Sequence, residues 1–505
     1  MKNSRDNFNF EFLSDTRLLY CDFSLRYKIA FFNVRTAKKI REKLKMRIDK
    51  SFYKKVFFIV IPIIIQNTIS NFVSLLDNIM VGQIGTDQMN AVSISNQLFF
   101  VYFLCLWGAV GGGGIFAAQF FGNGDHKGVR NAFRANFVLS ISITFFAIAI
   151  LFFCGDFFTS LFLHKTDSVG DIARTEFLAR EYLRTMFFGL VPLAIAHVYS
   201  NILRCTGQTA VPMKASMCAV FINLILNYVL IFGHFGMPKM GVKGAAIATV
   251  VSRCVECAII VSWTHNHKQR CQFIKGAYRT LKIPATLLRQ IIIKGTPLAM
   301  NETLWSMGLT FLNQSYSLRG LSVVAAVNIT STISNLFNVF AFAIGEAISI
   351  IVGQLLGAGK NSEAKKSAKN LIALSACVCV VIGFVMACMR NAFPAIYKTE
   401  AQVRSLAANF ILIASCMMPI LAVVHGCYFT LRCGGKTIIT FLFDSIFVWT
   451  FCVSTAFCLT RFTDLPIVTI YLIVQSMDLI KASIGIALVK KGIWIQNLTE
   501  VSNAN

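Results

Sequence analysis

Twelve long apolar stretches follow one another along the chain, separated by short polar or basic segments. A helix needs about 20 apolar residues to cross the core of a bilayer. The stretches are continuous, and they lack the alternation of apolar and polar residues that is typical of a membrane β-barrel. The pattern predicts an all-α polytopic membrane protein with twelve transmembrane helices, at about 56–80, 91–118, 133–153, 181–203, 213–235, 242–263, 291–315, 321–352, 371–391, 405–430, 438–460 and 465–488.

The composition supports this interpretation. Of the 505 residues, 56% are hydrophobic and 14% are charged, whereas about 25% are charged in a typical soluble domain. A soluble chain of this length divides into several domains, and each domain needs a polar surface. The low charge content therefore excludes an ordinary soluble enzyme, a disordered scaffold and a fibrous protein.

The 48 Lys and Arg residues are distributed unevenly between the two sides of the predicted spans. The termini and the even-numbered connections carry 35 of them, the opposite connections carry 10, and three lie within spans. Because cationic loops stay in the cytoplasm, we expect a multi-pass protein of the cell (inner) membrane with both termini cytoplasmic. The formal charge of +25 thus reports orientation and does not indicate a nucleic-acid partner.

The first 55 residues are predicted to form a basic cytoplasmic tail, and they lack the apolar core of a signal peptide. Met46 is followed by a short basic segment and then by the first span, an arrangement typical of the start of a bacterial membrane protein. We therefore expect residues 1–45 to be a disordered extension or the product of a misplaced start codon.

The 16 Cys residues are scattered, mostly within apolar stretches. Cys254 and Cys257 form a single Cys-x-x-Cys pair, with no second pair to complete a zinc site. Buried thiols that act as small hydrophobic groups are therefore favoured, and we expect no metal site and no cofactor.

The two halves of the chain repeat one another. The offset between matching residues is constant as far as Gly359 and slightly shorter further on, with matching pairs Pro62 and Pro297, Gly85 and Gly320, Gln119 and Gln354, Gly122 and Gly357, Arg204 and Arg432, and Thr209 and Thr437. Since six is even, the repeat predicts two six-helix bundles in one orientation, related by pseudo-twofold symmetry along the membrane normal. Two bundles around a central cleft favour a transporter with alternating access over a channel.

The repeat also predicts the domain boundaries. We expect an N-lobe, a linker on the cytoplasmic side, a C-lobe and a cytoplasmic tail, over residues 56–263, 264–290, 291–488 and 489–505 respectively.

Six acidic residues lie within the predicted spans, where a charged side chain costs about 2.5–3.5 kcal/mol on insertion scales. Glu256 and Asp478 each have a cation three residues away, Arg253 and Lys481, and a structural ion pair is favoured for both. The other four acids have no such local partner: Asp77, Glu302, Glu346 and Asp444.

Asp77 ends a polar face of the first span, on which Gln66, Ser70 and Ser74 recur at helical spacing. A lipid-facing surface does not carry such a face, so we expect it to point to the bundle interior or to water.

Three further polar residues are predicted to lie at the depth of Asp77, in the outer half of the membrane. Asn223 and Asn227 are one turn apart on the fifth span, and Thr249 lies on the sixth. Together the four side chains suit a proton or Na⁺. A functional role is favoured for Asp77, whereas for its three neighbours interhelical hydrogen bonding, worth about 0.6 kcal/mol on average, is an equally good interpretation.

His197 and His425 occupy equivalent positions in the two halves. Symmetric core histidines are favoured over a proton relay, and both residues are kept, with Asp444 and Glu346, as candidates for a substrate cavity or relay. The Gly-rich segments after the second and eighth spans are favoured as helix ends, because no Gly-Lys-Ser/Thr of a phosphate loop follows them. We therefore expect an ion gradient, of H⁺ or Na⁺, to supply the energy.

Several motifs resemble those of the multidrug and toxic compound extrusion (MATE) family. The resemblance covers about residues 46–498 and rests, in chain order, on Pro62, Asp77, Met80, Gly82, Gly85, Gln119, Gly122, Gly124, Arg204, Gly207, Thr209, Pro212, Asn223, Asn227, Met240, Gly241, Gly244, Gly295, Pro297, Asn301, Glu302, Trp305, Gly353, Gly357, Gly359, Arg432, Gly435 and Asp444. It implies twelve helices in two lobes and cation-coupled efflux of organic, often cationic, compounds.

The resemblance also implies roles for individual residues. Asp77 matches the usual coupling acid of the family, and Asn223, Asn227 and Thr249 match further cation-site positions. Some relatives carry Asp where this chain has Asn227, so both H⁺ and Na⁺ stay open. Glu302 matches a second-lobe acid that binds the cation in another branch, and His425 lies near the position of that branch's further acid.

The leading hypothesis is a secondary active multidrug antiporter, not an enzyme, acting as a monomer on small organic substrates. One alternative is a lipid-linked sugar flippase, which needs a cationic central cavity; the predominance of unpaired intramembrane acids disfavours it. The other is an intramembrane enzyme that uses His197 and His425 with a bound metal.

Overall fold

The computed structural model describes residues 50–162, 171–280 and 282–499. The predicted extension over residues 1–45 lies outside them. The chain divides into two units, Met1–Phe57 and Phe58–Asn505. Of the first unit only the opening turns of the first helix are described, and all contacts below belong to the second unit.

Within the described residues, all regular secondary structure is helical. Twelve long helices follow one another: α1 Lys50–Gly82, α2 Thr86–Gly122, α3 His126–Phe162, α4 Ile172–Cys205, α5 Ala210–Phe232, α6 Gly241–Asn266, α7 Ala285–Ser317, α8 Leu321–Gly357, α9 Asn361–Cys388, α10 Ala401–Cys433, α11 Thr437–Phe462 and α12 Ile467–Lys491. The predicted all-α class with twelve helices is thus confirmed.

Eleven of these helices are long and apolar enough to cross a membrane, judged by length and composition. The exception is α7, whose 33 residues reach about 50 Å. It is long enough to span, but Asn301, Glu302 and Thr303 follow one another in its middle and lower its hydropathy.

Pro62 lies inside α1 and has no N–H to donate to the carbonyl oxygen of Phe58, four residues earlier. The hydroxyl of Thr209 donates to that oxygen instead, at 3.2 Å. The interruption of α1 is therefore satisfied by a residue just before α5, as it must be where water is excluded.

Helix α11 departs from regular α-helical geometry in its middle. Residues Leu442–Ile446 and Val448–Val453 form π-helical turns, with hydrogen bonds that span five residues. Such wider turns rotate the side chains that follow relative to a regular α-helix, and they occur frequently at functional sites.

Helices α2 and α7, from the two halves of the chain, approach closely through small residues. A Cβ added at Gly112 would meet the backbone of Gly295, and one added at Gly108 would meet Ala299. Gly108 and Gly112 are four residues apart on α2, and so are Gly295 and Ala299 on α7. This spacing of small residues lets helix backbones touch inside a membrane.

The ends of α2 and α8 also meet, since a Cβ added at Gly122 would meet the backbone of Gln354 and one added at Gly357 would meet that of Gln119. Two equivalent hydrogen bonds from these ends join α2 to the end of α10 and α8 to the end of α4. Gln119 donates to the carbonyl oxygen of Cys433 at 3.0 Å, and Gln354 donates to that of Cys205 at 2.8 Å. Both donors and both acceptors are related by the repeat, so the contacts run in both directions between the halves. The sequence predicts this end of both helices to be cytoplasmic.

Glycine permits the close approach of α2 and α8, and we expect Gly357→Ala to destabilise the protein by disturbing this contact. A methyl group at this position would meet the backbone carbonyl of Gln119, and such overpacking costs about 1–3 kcal/mol. The apparent Tm of the purified protein in detergent should therefore fall. Gly155→Ala, inside α3, is the matched control, because a Cβ there has no neighbour within 4 Å and alanine favours helix. Equal Tm values for the two variants would contradict the proposed contact.

Candidate functional site

The structure brings together the four residues predicted to form a cation site in the first half. Asn227 donates from Nδ2 to Oδ1 of Asp77 at 2.6 Å and to Oδ1 of Asn223 at 3.2 Å. Asn223 in turn donates to the hydroxyl of Thr249 at 3.4 Å. Helices α1, α5 and α6 therefore meet at one depth through this cluster. The role of the cluster in ion binding stays a prediction.

The amides around Asp77 can be arranged in more than one way. When the oxygen and nitrogen of the Asn223 amide exchange places, its nitrogen lies 3.0 and 3.2 Å from the two carboxylate oxygens of Asp77. The oxygen Oδ1 of Asn227 is buried and has no hydrogen-bond partner among the described residues. The cluster thus offers an acceptor that its own hydrogen bonds leave unused.

The charge of Asp77 is not neutralised by an ion pair. Among the described residues, no Lys or Arg side chain lies within ion-pair distance of its carboxylate. Its direct hydrogen-bond partner, Asn227, is neutral and only 1% exposed. Ser70 and Ser74 of the predicted polar face are exposed. The side-chain hydrogen bonds of this face lie at its two ends, Gln66 and Asp77.

A second polar chain begins on the same helix. Gln66 donates to the hydroxyl of Ser216 at 2.7 Å, and that hydroxyl donates to Glu256 at 2.5 Å. Arg253 pairs with Glu256 at 3.0 Å, so the predicted local ion pair is confirmed.

The chain continues to the other half of the molecule through Arg204 of α4. Its Nη2 donates to Gln66 at 2.7 Å, and its Nη1 pairs with Glu346 of α8 at 2.9 Å. Glu346 has no partner on its own helix, as the spacing indicated, but it is not an unpaired acid. The sequence argument considered only cations on the same helix, whereas this cation comes from a helix of the opposite half.

The repeat does not reproduce this ion pair. Arg432 is the equivalent of Arg204, and Gly111 is the equivalent of Glu346. A Cβ added at Gly111 would meet the guanidinium of Arg432. Arg204 is therefore paired with an acid, whereas Arg432 lies against a glycine, so the two arginines differ in their electrostatic surroundings.

In the second half, Asp444 of α11 and Lys481 of α12 form an ion pair at 2.6 Å. The side chain of Lys481 is 5% exposed and that of Asp444 is 16% exposed. Asp444 has no partner on its own helix, but Lys481 of α12 pairs with it, so the ion pair predicted between Lys481 and Asp478 is wrong. Asn301 of α7 donates to the other oxygen of Asp444 at 2.9 Å.

Two neighbouring groups complete this second assembly. Tyr428 of α10 donates to Glu302 at 3.3 Å, so Glu302 has a neutral partner. Ser445 donates to the side-chain oxygen of Asn301 at 2.8 Å. Sequence reasoning missed Tyr428 and Ser445, because neither spacing nor charge distinguishes them from other residues of the spans.

The two histidines lie in different surroundings. The ring of His425 packs on Phe342, with 4.3 Å between centroids. Within the described residues, His197 forms no hydrogen bond, and no group of three His, Cys, Asp or Glu side chains is placed to hold a metal ion. A relay role for either histidine stays a prediction.

Comparisons with known proteins agree with this architecture. The model of the MatE family matches residues 62–229 and 297–457. A relative from Thermotoga maritima, described as probable multidrug resistance protein NorM, is 25% identical over 452 residues, covering 87% of this chain and 93% of the relative.

Two solved structures share the fold. One, described as an outward-facing conformation of a multidrug resistance MATE family transporter of the MOP superfamily, has a TM-score of 0.79 at 18% identity and covers 87% of this chain and 95% of its own. The other is a MOP superfamily transporter from Pyrococcus furiosus whose binding pocket is described as having reverse polarity, suggesting a different function. Its TM-score is 0.78 at 19% identity, with 87% and 95% covered. These structures establish the fold.

We expect Lys481→Ala to destabilise the protein strongly, because it leaves the carboxylate of Asp444 buried without a counter-charge. Breaking a buried pair in this way costs about 3–5 kcal/mol. The measurement is the apparent Tm in detergent, with Lys490→Ala as control, since Lys490 is exposed on the same helix. Adding Asp444→Asn to the Lys481→Ala variant should restore part of the loss. If Lys481→Ala and Lys490→Ala have the same apparent Tm, the ion pair of Asp444 and Lys481 does not stabilise the fold.

Proposed function

The chain belongs to the MatE family, and we propose that it is a secondary active multidrug efflux transporter that exchanges small organic compounds, often cationic, for H⁺ or Na⁺. The observation that carries the proposal is the carboxylate of Asp77, which is held by neutral amides without an ion pair. An intramembrane acid with no counter-charge is costly, and binding a cation or a proton relieves that cost.

The neighbouring amides suit both states of Asp77. An amide donates through its nitrogen to a carboxylate, and once it has turned over it accepts through its oxygen from a protonated carboxyl group. Asn227 now donates to Asp77, and its own oxygen is unused. We infer that rotation of Asn227 follows the loading of Asp77. With Na⁺, the same oxygen joins the carboxylate as a hard ligand.

Asp444 is the weaker candidate for coupling, although it is also an intramembrane acid. Lys481 and Asn301 occupy both of its oxygens. A cation binding there has to displace an ammonium group that is itself buried. We therefore assign coupling to Asp77, with Asn223, Asn227 and Thr249 as its partners, and keep Glu302, whose partner Tyr428 is neutral, as a secondary site.

Transport by alternating access requires that the ion and the substrate favour different states of the two halves. Helix α1 carries both Asp77 and Gln66, and Gln66 bonds to Arg204, which pairs across to Glu346. Loading of Asp77 therefore acts on a helix that is tied directly to the contact between the halves. We propose this as the route by which ion binding biases the equilibrium.

The lipid-linked sugar flippase is less well supported. It needs several free cations in the cleft for a pyrophosphate, yet of Arg204, Lys481 and Arg432 the first two are each paired with an acid and the third lies against Gly111. The likeness to the Thermotoga relative, which is described as a probable multidrug resistance protein, also favours export of drugs. We also propose that the protein acts as a monomer in the cell membrane, with both termini in the cytoplasm.

We expect Asp77→Asn to insert normally and to lose efflux of a cationic dye such as ethidium. The amide keeps the size of the side chain, but it takes up no proton and lacks the negative charge that would hold Na⁺. The measurement is dye efflux from cells that express equal amounts of each variant. Asp87→Asn is the control, because Asp87 begins α2 only ten residues away and bonds to the backbone of Asp171 instead of to the cluster. Efflux by Asp77→Asn at the control rate would overturn the assignment.

The coupling ion is identified by imposing one gradient at a time on proteoliposomes. A pH gradient alone drives dye movement if the ion is H⁺, and a Na⁺ gradient alone drives it if the ion is Na⁺. In either case Asp77→Asn should remove the response. Transport that follows neither gradient contradicts antiport.

A further inference from the structure

A cavity of about 480 Å³ lies between the start of α3 and the segment that follows α6. Its lining is basic: Arg130, Arg134, Lys275, Gly276, Arg279 and Thr280. The sequence predicts both elements to lie on the cytoplasmic side. Neither the transport site nor the contact between the halves includes these residues.

The positive charge of this basic cavity is not neutralised by the protein. Residues 264–294 contain seven Lys and Arg and no Asp or Glu. In the described part of the chain, none of the four cations that line the cavity forms an ion pair with an acidic side chain. Like charges gathered around one space repel one another, and an anion is the ligand that relieves this repulsion.

The backbone around the cavity is fixed in position by two of the arginines. Arg134, only 8% exposed, donates from Nε to the carbonyl oxygen of Ala277 at 2.7 Å and from Nη2 to that of Gly276 at 2.8 Å. Arg130 donates from Nε to the carbonyl oxygen of Phe273 at 3.2 Å. These hydrogen bonds fix the shape of the cavity without a ligand. The exposed side chains of Lys275 and Arg279 are then the ones that contact the anion.

An apolar groove of about 450 Å³ reaches the same segment at Tyr278. Its walls come from α3, α4 and α6, and include Phe137, Pro192, Ile195, Cys254, Ala258 and Val261. Tyr278 closes one end, where its hydroxyl lies 2.5 Å from that of Tyr199. Since Arg279 lines the basic cavity and Tyr278 lines the groove, consecutive residues contact both spaces.

A basic cavity beside an apolar groove matches the two parts of one kind of molecule. We propose that this region binds an anionic phospholipid of the cytoplasmic leaflet, with the phosphate in the basic cavity and an acyl chain along the groove. Basic pockets of this kind on the cytoplasmic side hold acidic lipid headgroups. The tyrosine between the two spaces has the amphipathic character that suits a membrane interface.

The test is native mass spectrometry of the full-length protein in a neutral detergent, with phosphatidylglycerol, phosphatidylcholine or inorganic phosphate added separately. We expect phosphatidylglycerol to be retained in preference to phosphatidylcholine. The double variant Lys275→Gln with Arg279→Gln should weaken this binding about tenfold or more, since each cation near an anionic lipid contributes about 1 kcal/mol.

The control is Lys268→Gln with Arg270→Gln, which removes the same charge from the same segment outside the cavity; it should bind phosphatidylglycerol as the unchanged protein does. Ala258→Trp fills the groove and should reduce lipid binding while leaving the anion cavity intact.

Three results overturn the proposal: equal retention of the two lipids, equal binding by the two double variants, or full lipid binding by Ala258→Trp. Inorganic phosphate bound as tightly as the lipid identifies a free-anion site instead. Variants are compared only at equal apparent Tm, so a folding defect is not mistaken for lost binding.

Discussion

The structure depends on one constraint, which is that polar groups placed among apolar helices are stabilised by partners inside the protein. The partners are often on distant helices. The carbonyl freed by Pro62 is satisfied by Thr209, and the guanidinium of Arg204 is shared between Gln66 and Glu346. Each such bond fixes two helices against each other. The same rule that protects the fold therefore also ties the two halves together, and it leaves Asp77 as an acid whose charge is met only by amides.

Close approach of backbones is the second condition for these bonds. The run Gly111 to Gly114 in α2 meets a different neighbour at each step: Arg432, Gly295, Asn136 and Asn201. A larger side chain at any of these positions would push away a helix or a polar side chain. The cross-half bonds of Gln119 and Gln354 require the same closeness, because their carbonyl acceptors lie on the opposite half.

Sequence reasoning predicted the twelve helices and the cluster around Asp77, because both follow from spacing along single helices and from the order of crossings. It failed for Glu346, Asp444 and Lys481. Same-helix spacing pairs Lys481 with Asp478, yet Lys481 pairs with Asp444, which lies in a π-helical turn of α11. Neither such turns nor the helix that supplies a distant partner can be read from spacing. The repeat also does not carry over to Glu346, because the equivalent residue in the first half is Gly111.

The repeat makes the two halves alike in fold and unlike in charge. In the first half, the acid at the end of α1 is held by amides. In the second half, Asp444 is neutralised by Lys481. A carboxylate without a counter-ion is neutralised when a cation binds to it. A carboxylate in a buried ion pair resists such binding, because its partner would have to be moved away and left buried without a counter-charge. In the coupling that we propose, the first half responds to a cation through Asp77, although Glu302 of the second half, whose partner Tyr428 is neutral, is a secondary site. The pair of Arg204 with Glu346 then joins the responding half to the other.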